Sequence, residues 1–248
     1  MITLKTEREL KLMQEAGRIV ALALDEVAKA IAPGITTAEL DAIAEKTIVS
    51  YGARPSFKGY NGFPASICAS INHEVVHGIP GLKQLRDGDI ISIDVGAEIN
   101  GYHGDAARTF PVGNVSPLAE RLITVTEEAL ARGIAAFKPG GRLTDISHAI
   151  QSYVEAAGFS VVRDLVGHGI GRKLHEPPQV PNFGRPGRGT RLTPGLVLAI
   201  EPMVNVGTYA IDFMPDQWTV VTADGSLSAH AEHTVALLED GPLILTKV

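Results

Sequence analysis

Near the start of the chain apolar side chains recur at helical spacing. Leu10, Met13, Val20, Leu24, Val27 and Ile31 share one face of a single long helix. Thr6 followed by Glu9 makes a capping box at its start, and Pro33-Gly34 ends it. A second helix is predicted from Thr36, with Glu39 completing its box, to Tyr51-Gly52. The period then changes. In "DIISIDVGAEINGYHGD", residues 89–105, Ile90, Ile91, Ile93 and Val95 mark a strand headed for a core, bracketed by Asp-Gly and Asn-Gly turns. Asn100-Gly101 predicts a two-residue hairpin in which residue 99 faces 102, 96 faces 105 and 94 faces 107.

The same grammar returns about a hundred residues later. Ser116-Pro117 opens a helix that runs to Pro139-Gly140, and another extends from about Thr144 to Ala157, ending at Gly158. After each helix pair come matching features in the same order. "HGIP" at His77 answers "HGIG" at His168, and "DGDIISIDV" answers "PGLVLAIEP", which aligns Asp94 with Glu201. "HGDAARTF" answers "HAEHTVAL", which aligns Asp105 with Glu232 and His103 with His230. The shared order predicts an internal duplication, about 5–112 and 113–245, within a single catalytic domain spanning 1–248. Helices first and strands afterwards favour an α+β fold, with helices covering one face of a largely antiparallel sheet. Pro202 cannot donate to a strand ladder, so Glu201 is expected at a strand end, edge or bulge. "NFGRPGRGTRLTPG" reads as a loop.

Composition narrows the function. The chain has 248 residues, 45% hydrophobic and 20% charged, with a net charge of −6, which argues against nucleic acid as the main partner. No run of 18 apolar residues occurs, and "MITLKTEREL" lacks a signal-peptide apolar segment, so a cytoplasmic protein with no membrane role is expected. A lone cysteine, Cys68, excludes an internal disulfide and a thiolate metal cage.

An ionised Asp94 in a core strand must have its charge cancelled. The hairpin register makes Asp94 and Asp105 diagonal neighbours on one face. If the halves pack about a pseudo-twofold axis, Glu201 and Glu232 approach the same point from the other side. Four carboxylates exceed what one lysine or arginine neutralises, whereas two divalent cations balance them. Oxygen-rich sites with imidazoles suit manganese, iron or cobalt, with zinc admissible. His77, His168, His103 and His230 all lie near enough in sequence to contribute, and spacing alone leaves the choice open. His148 falls within a helix pattern and is expected to be structural.

The motifs "SICASINHEVVHGIP", "SIDVGAEINGYHGD", "GHGIGRKLHEPPQVPNFG", "AIEPMV" and "SLSAHAEHTV" resemble, nearly end to end, the bacterial type I methionine aminopeptidases. These form part of peptidase family M24, the creatinase/aminopeptidase or "pita-bread" superfamily. The resemblance implies that fold, with the metal site between two pseudo-symmetric halves. It implies hydrolysis of the initiator methionine from nascent proteins, with a small second residue preferred, by a water or hydroxide bridging two divalent metals. It implies metal ligands at Asp94, Asp105, His168, Glu201 and Glu232, with Asp105 and Glu232 bridging. His77 is implied at the scissile amide, His175 at its carbonyl oxygen, and Glu201 as the proton shuttle.

Tyr60, Phe63, Cys68 and Trp218 match the methionine pocket, with Phe57 and Leu174 as further candidates. Leu174 stands where some relatives carry an aromatic residue, and Val76 stands where many carry cysteine. Asn72 and Ser228 match the place of a monovalent cation. The chain lacks the N-terminal zinc-binding extension and the long insertion that mark other branches of the family. Met-peptides of nascent chains are the implied partners, with contact near the ribosome exit and action as a monomer. The alternatives are another aminopeptidase or a proline dipeptidase on the same scaffold, and a binding protein that keeps the shape without catalysis.

Overall fold

The computed structural model describes residues 2–248. In chain order the first half contains α1 (Glu7–Ala30), α2 (Thr37–Ser50), β1 (Arg54–Pro55), β2 (Ile67–Ile71), β3 (Glu74–Val76), β4 (Ile90–Ile99) and β5 (Tyr102–Pro111). The second half opens with α3 (Pro117–Ala136) and α4 (Leu143–Ala156), followed by β6 (Ser160–Val161), β7 (Gly167–Gly169) and β8 (Glu176–Val180). It continues with β9 (Val197–Ile200), β10 (Met203–Asn205), β11 (Ile211–Phe213) and β12 (Val220–Thr222). β13 (Ser228–His230), β14 (Glu232–Leu238) and β15 (Gly241–Ile244) complete the chain.

The helices start where local chemistry dictates. Thr6 and Thr36 each accept from the backbone N–H three residues on, while Glu9 and Glu39 accept from the cap residues' own N–H groups. Ser116 caps α3 by accepting from Ala119, with Pro117 in the first turn. α4 begins one residue earlier than expected, after Arg142, whose N–H donates to the Asp145 carboxylate at 2.7 Å. His148 lies on the exposed side of α4 beside Ser152, so it plays no part in the packing, contrary to the expectation of a structural role.

The main sheet has nine strands, along the path β1-β4-β5-β14-β9-β7-β8, with β2 also on β4 and β15 also on β14. Every pairing is antiparallel. The Asn100-Gly101 turn has φ of 56° and 78°, the left-handed values a tight hairpin needs, and the register is as expected: Ile99 faces Tyr102, Gly96 faces Asp105 and Asp94 faces Ala107. β9 stops at Ile200, and Glu201-Pro202 leave the ladder before β10. Residues 182–195 form a loop.

One sheet face carries the core. Ile91, Ile93, Val95, Ala97 and Ala106 pack with Ile19, Val20, Leu24 and Val27 of α1. Ile123, Leu130 and Ile134 of α3 pack with Val235 and Leu237 of β14 in a second cluster. α1 sits so close to β5 that a Cβ on Gly104 would lie 2.7 Å from the Gly17 nitrogen, and one on Gly17 would lie 2.3 Å from the Leu245 carbonyl oxygen. Glycine is required at both places. The alternation of strand side chains sends Asp94 and Asp105 to the opposite face.

Candidate metal centre

The register of three strands builds the cluster. Asp94 on β4 and Glu232 on β14 both pair with Ala107 of β5, so they flank one small side chain on one sheet face. Asp105, two residues before Ala107, projects from that face as well. Glu201 follows Ile200, whose partner is His233, and so extends the same row next to Glu232. His168 on β7 pairs with Ala199 and enters from the far side. The ladder between β5 and β14 has only two register pairs, and Thr234 extends the grip. Its hydroxyl accepts from the Asp105 N–H at 3.0 Å and donates to the Asp105 carbonyl at 2.8 Å. Asn182 donates to the Glu201 carbonyl at 3.1 Å, holding that residue where the strand ends. Neither Thr234 nor Asn182 is distinctive in sequence, since their service depends on which strand lies alongside.

Ligand atoms of Asp105, His168 and Glu232 lie within 4.8 Å of one another, and so do those of Glu201, His230 and Glu232. Asp94 adjoins Asp105. Among the described residues no lysine or arginine pairs with any of these carboxylates; their only basic neighbours are imidazoles at 3.6–3.9 Å. Asp94 Oδ1, Asp105 Oδ1, Glu232 Oε1 and His230 Nε2 are buried with no hydrogen-bond partner.

Burial pushes the Asp94 carboxyl up to about 7 and Glu201 up to about 8. Burial and then the neighbouring carboxylates raise Asp105 and Glu232 well above the usual range. His168 sharpens the point. Its Nδ1 lies 2.9 Å from the Gly169 carbonyl and must donate there, which leaves Nε2 as a lone pair facing Asp105 at 3.8 Å and Glu201 at 3.6 Å. Burial lowers the imidazole to about 3, keeping it neutral. A lone pair turned toward carboxylates is unfavourable unless a cation lies between them, and fixing Nδ1 on a carbonyl is how metal-bound histidines are oriented. The donor set fits divalent cations.

A cavity of about 300 Å³ opens onto the cluster, lined by Asp94, Asp105, His168, Glu201 and Glu232 on one side. Phe57, Tyr60, Phe63, Cys68 and Trp218 line the other side, with His77 and His175 also in the wall. Phe63 and Trp218 meet edge to face, centroids 5.1 Å apart, and the Trp218 N–H donates to Asp216, which holds the loop. The Cys68 thiol is held up by burial and by Asp94, so it stays protonated and is a soft wall rather than a ligand. His77, at φ +60°, stands 6.5 Å from the Trp218 ring. His175 Nδ1 lies 2.7 Å from the Tyr60 hydroxyl.

Several sequence expectations land elsewhere. Leu174 is buried in one cluster with the cavity-lining Phe57, Phe63 and Cys68 but is not itself among the lining residues. Val76, for which the sequence set no pocket role, packs with Val75, Val162 and Met203. His103 bonds Ser56 at 2.9 Å and stays outside both ligand groups. His230 does join the carboxylates. Asn61, overlooked in the sequence, lines the cavity; the left-handed Tyr-Asn-Gly turn was its only signal. Asn72 and Ser228 meet through the Ser228 N–H and the Asn72 carbonyl, at 2.8 Å.

The sequence matches the model of metallopeptidase family M24 over residues 11–239. The methionine aminopeptidase of Clostridium perfringens is 61% identical over 248 residues, covering all of both chains. Methionine aminopeptidase 1 of Bacillus subtilis is also 61% identical over 248 residues, with all of both chains covered. The crystal structure of the methionine aminopeptidase from Thermotoga maritima matches at a TM-score of 0.99 and 48% identity, over 100% of each chain. A prolidase from Pyrococcus furiosus matches at a TM-score of 0.80 and 25% identity, over 99% of this chain and 65% of that one.

Proposed function

The chain belongs to metallopeptidase family M24, and from that premise we propose that it is a methionine aminopeptidase, hydrolysing the initiator methionine from nascent proteins. The observation that carries this reading is the conjunction at one point of two things. Four clustered carboxylates, Asp105 and Glu232 buried and Asp94 and Glu201 partly so, lack a lysine or arginine partner beside a lone-pair imidazole nitrogen, and an aromatic-lined cavity opens directly onto them.

In this reading Asp94, Asp105, His168, Glu201 and Glu232 would hold two divalent cations. The ligand set favours cobalt, manganese or iron, with zinc admissible. Cations bound there supply Lewis acidity and make water a competent nucleophile near neutral pH. The chain's own groups do the rest. Tyr60, Phe63, Cys68 and Trp218 enclose the methionine side chain, where a thioether suits aromatic rings and a thiol. With the Tyr60 hydroxyl, 2.7 Å away, donating to His175 Nδ1, the ring proton would sit on Nε2, the tautomer able to stabilise charge growing on the scissile carbonyl oxygen. His77 contacts the amide nitrogen, and Glu201 carries a proton to the departing amine. A small second residue is preferred because a bulky one crowds the cluster.

The reading keeps a monovalent cation beside Asn72 and Ser228, and keeps the halves 5–112 and 113–245 as copies of one ancestral unit within a single domain. It sets the protein in the cytoplasm as a monomer working near the ribosome exit.

The test is methionine release from Met-Ala-Ser and Met-Leu-Ser peptides by protein loaded with each of the four metals. Release from the first, and little from the second, is expected. No release from Met-Ala-Ser with any metal overturns the assignment. The likeness to a prolidase motivates one rival, and an X-Pro dipeptide panel separates it: cleavage of X-Pro in preference to Met-Ala favours the rival.

A further inference from the structure

Glu201 presents its two oxygens to two different imidazoles. Oε1 faces His168 Nε2 at 3.6 Å, and Oε2 faces His230 Nε2 at 3.7 Å. His230 Nε2 also stands 3.9 Å from Glu232 Oε2 and has no hydrogen-bond partner, on a side chain only 1% exposed. Unlike His168, His230 does not line the cavity. It meets the same carboxylates from outside the cavity lining. Its backbone is fixed: the His230 N–H donates to Thr109 Oγ1 at 2.9 Å, and Thr109 donates back to the His230 carbonyl at 2.8 Å. Thr109 in turn contacts the Ser92 hydroxyl at 2.8 Å, tying the imidazole to the hairpin that carries Asp94 and Asp105. A buried ring nitrogen with no hydrogen-bond partner, facing one oxygen of each of two candidate metal-binding carboxylates, needs an explanation that core packing does not supply.

We propose that His230 is a positioning residue whose Nε2–H braces Glu201 and Glu232 from outside the cavity lining, turning their other oxygens toward the cations. This rests on the metallopeptidase reading above. Groups that hydrogen-bond to ligands in this way change metal affinity by about 10- to 100-fold when removed. A role in the ligand shell itself would require the imidazole nitrogen to be irreplaceable, whereas bracing requires only an N–H at that place.

The experiment is anaerobic titration of the metal-free full chain with Co²⁺, by calorimetry and visible absorption, for wild type, His230→Gln and His230→Leu. Steady-state kinetics on Met-Ala-Ser follow in the same preparations. His230→Leu is expected to weaken the tighter site by about 30-fold and to lower kcat, leaving KM within about threefold. His230→Gln, which keeps an N–H donor, is expected to recover most of the affinity with the Co²⁺ spectrum of the wild type. Should the leucine variant not fold, His230→Asn, one methylene too short to span the gap, carries the same contrast with glutamine. The proposal is overturned if the leucine or asparagine variant binds Co²⁺ as tightly as wild type. It is also overturned if glutamine loses as much as leucine with an altered spectrum, which would make the imidazole a ligand. Wild type that binds Co²⁺ but releases no methionine defeats the peptidase reading and leaves the affinity contrast to judge the brace.

Discussion

His77 and His168 stand in the same His-Gly pair, one in each half of the chain, and the structure uses them differently. Both following glycines are forced. A Cβ on Gly78 would lie 2.3 Å from the Ala69 carbonyl oxygen, and one on Gly169 would lie 2.3 Å from the Pro177 carbonyl oxygen. The divergence comes from the strand alongside. β7 joins the main sheet, where His168 pairs with Ala199 and projects from the face that bears Glu201. β3 pairs instead with β12 in a separate three-stranded sheet, and His77 leaves it in a left-handed conformation. One imidazole becomes a donor held among carboxylates. Its counterpart is free at the cavity wall beside Trp218. A local motif fixes the turn, and the partner strand decides the chemistry.

The strongest way to break that contrast is to remove each group in turn. Glu201→Gln is expected to cost on the order of 10³-fold in turnover, the upper range for a general acid–base group that also binds metal; a near wild-type rate would remove its proton role. His168→Ala should weaken binding of Mn²⁺ or Co²⁺ by about 100-fold, measured by calorimetry. His77→Ala should bind both metals as wild type does and lose about 10²-fold in turnover. Equal metal loss in the two alanine variants would erase the distinction between the halves.

The halves differ in packing as well, and the next effect is on stability. In the first half α1 meets backbone: a Cβ on Gly17 would strike the Leu245 carbonyl at 2.3 Å. In the second half a Cβ on Gly133 of α3 would meet side-chain atoms rather than backbone, Ile150 Cδ1 and Cγ1 at 2.8 Å and Ile146 Cγ2 at 3.4 Å. Gly17→Ala should therefore destabilise by about 3 kcal/mol, as overpacking against rigid atoms does. Gly133→Ala should stay within about 1 kcal/mol of wild type, because helix propensity favours alanine by a similar amount. Urea midpoints measure both, and comparable losses would show that the α1 contact is softer than it looks.

How much of this could be read beforehand depends on range. The caps at Thr6, Thr36 and Ser116 were legible because donor and acceptor lie within one turn. The hairpin register was legible because Asn100-Gly101 admits one geometry, and that register alone put Asp94 and Asp105 on one face. The strand end at Glu201 followed from a missing proline N–H. Leu174 was not legible: an apolar side chain beside a motif looks like a pocket wall until the fold shows it facing Met13 and Ile170. His230 was left undecided for a related reason. β13 pairs with β10 in a small sheet, and one residue later β14 enters the main sheet, so the position of this imidazole depends on a crossing between sheets that sequence spacing does not encode.

The smallest expected effect concerns the seam where the halves meet. Asp94, raised to about 7, comes from the first half, and Glu201, raised to about 8, comes from the second. Each binds a proton more readily in the folded chain than in the unfolded one, so each contributes stability at low pH that is lost as pH rises through the folded value. The buried histidines work oppositely. His77 is lowered to about 4 and His168 to about 3, chiefly by burial, so stability rises with pH until the unfolded imidazole value near 6.5 is passed. The two effects oppose each other in acid, and above about pH 6.5 only the carboxylates remain. Metal-free protein should therefore lose a few degrees of melting temperature between about pH 6.5 and 8, measured by scanning calorimetry in chelator. Added Mn²⁺ should reverse the trend if the proposed carboxylates hold it, because a metal ion binds their deprotonated form. Asp94→Asn and Glu201→Gln should each flatten the decline, since either removes a carboxyl that burial holds protonated in the folded chain. A melting temperature that holds or climbs across that interval in chelator would mean that burial does not hold these two carboxyls protonated at the seam.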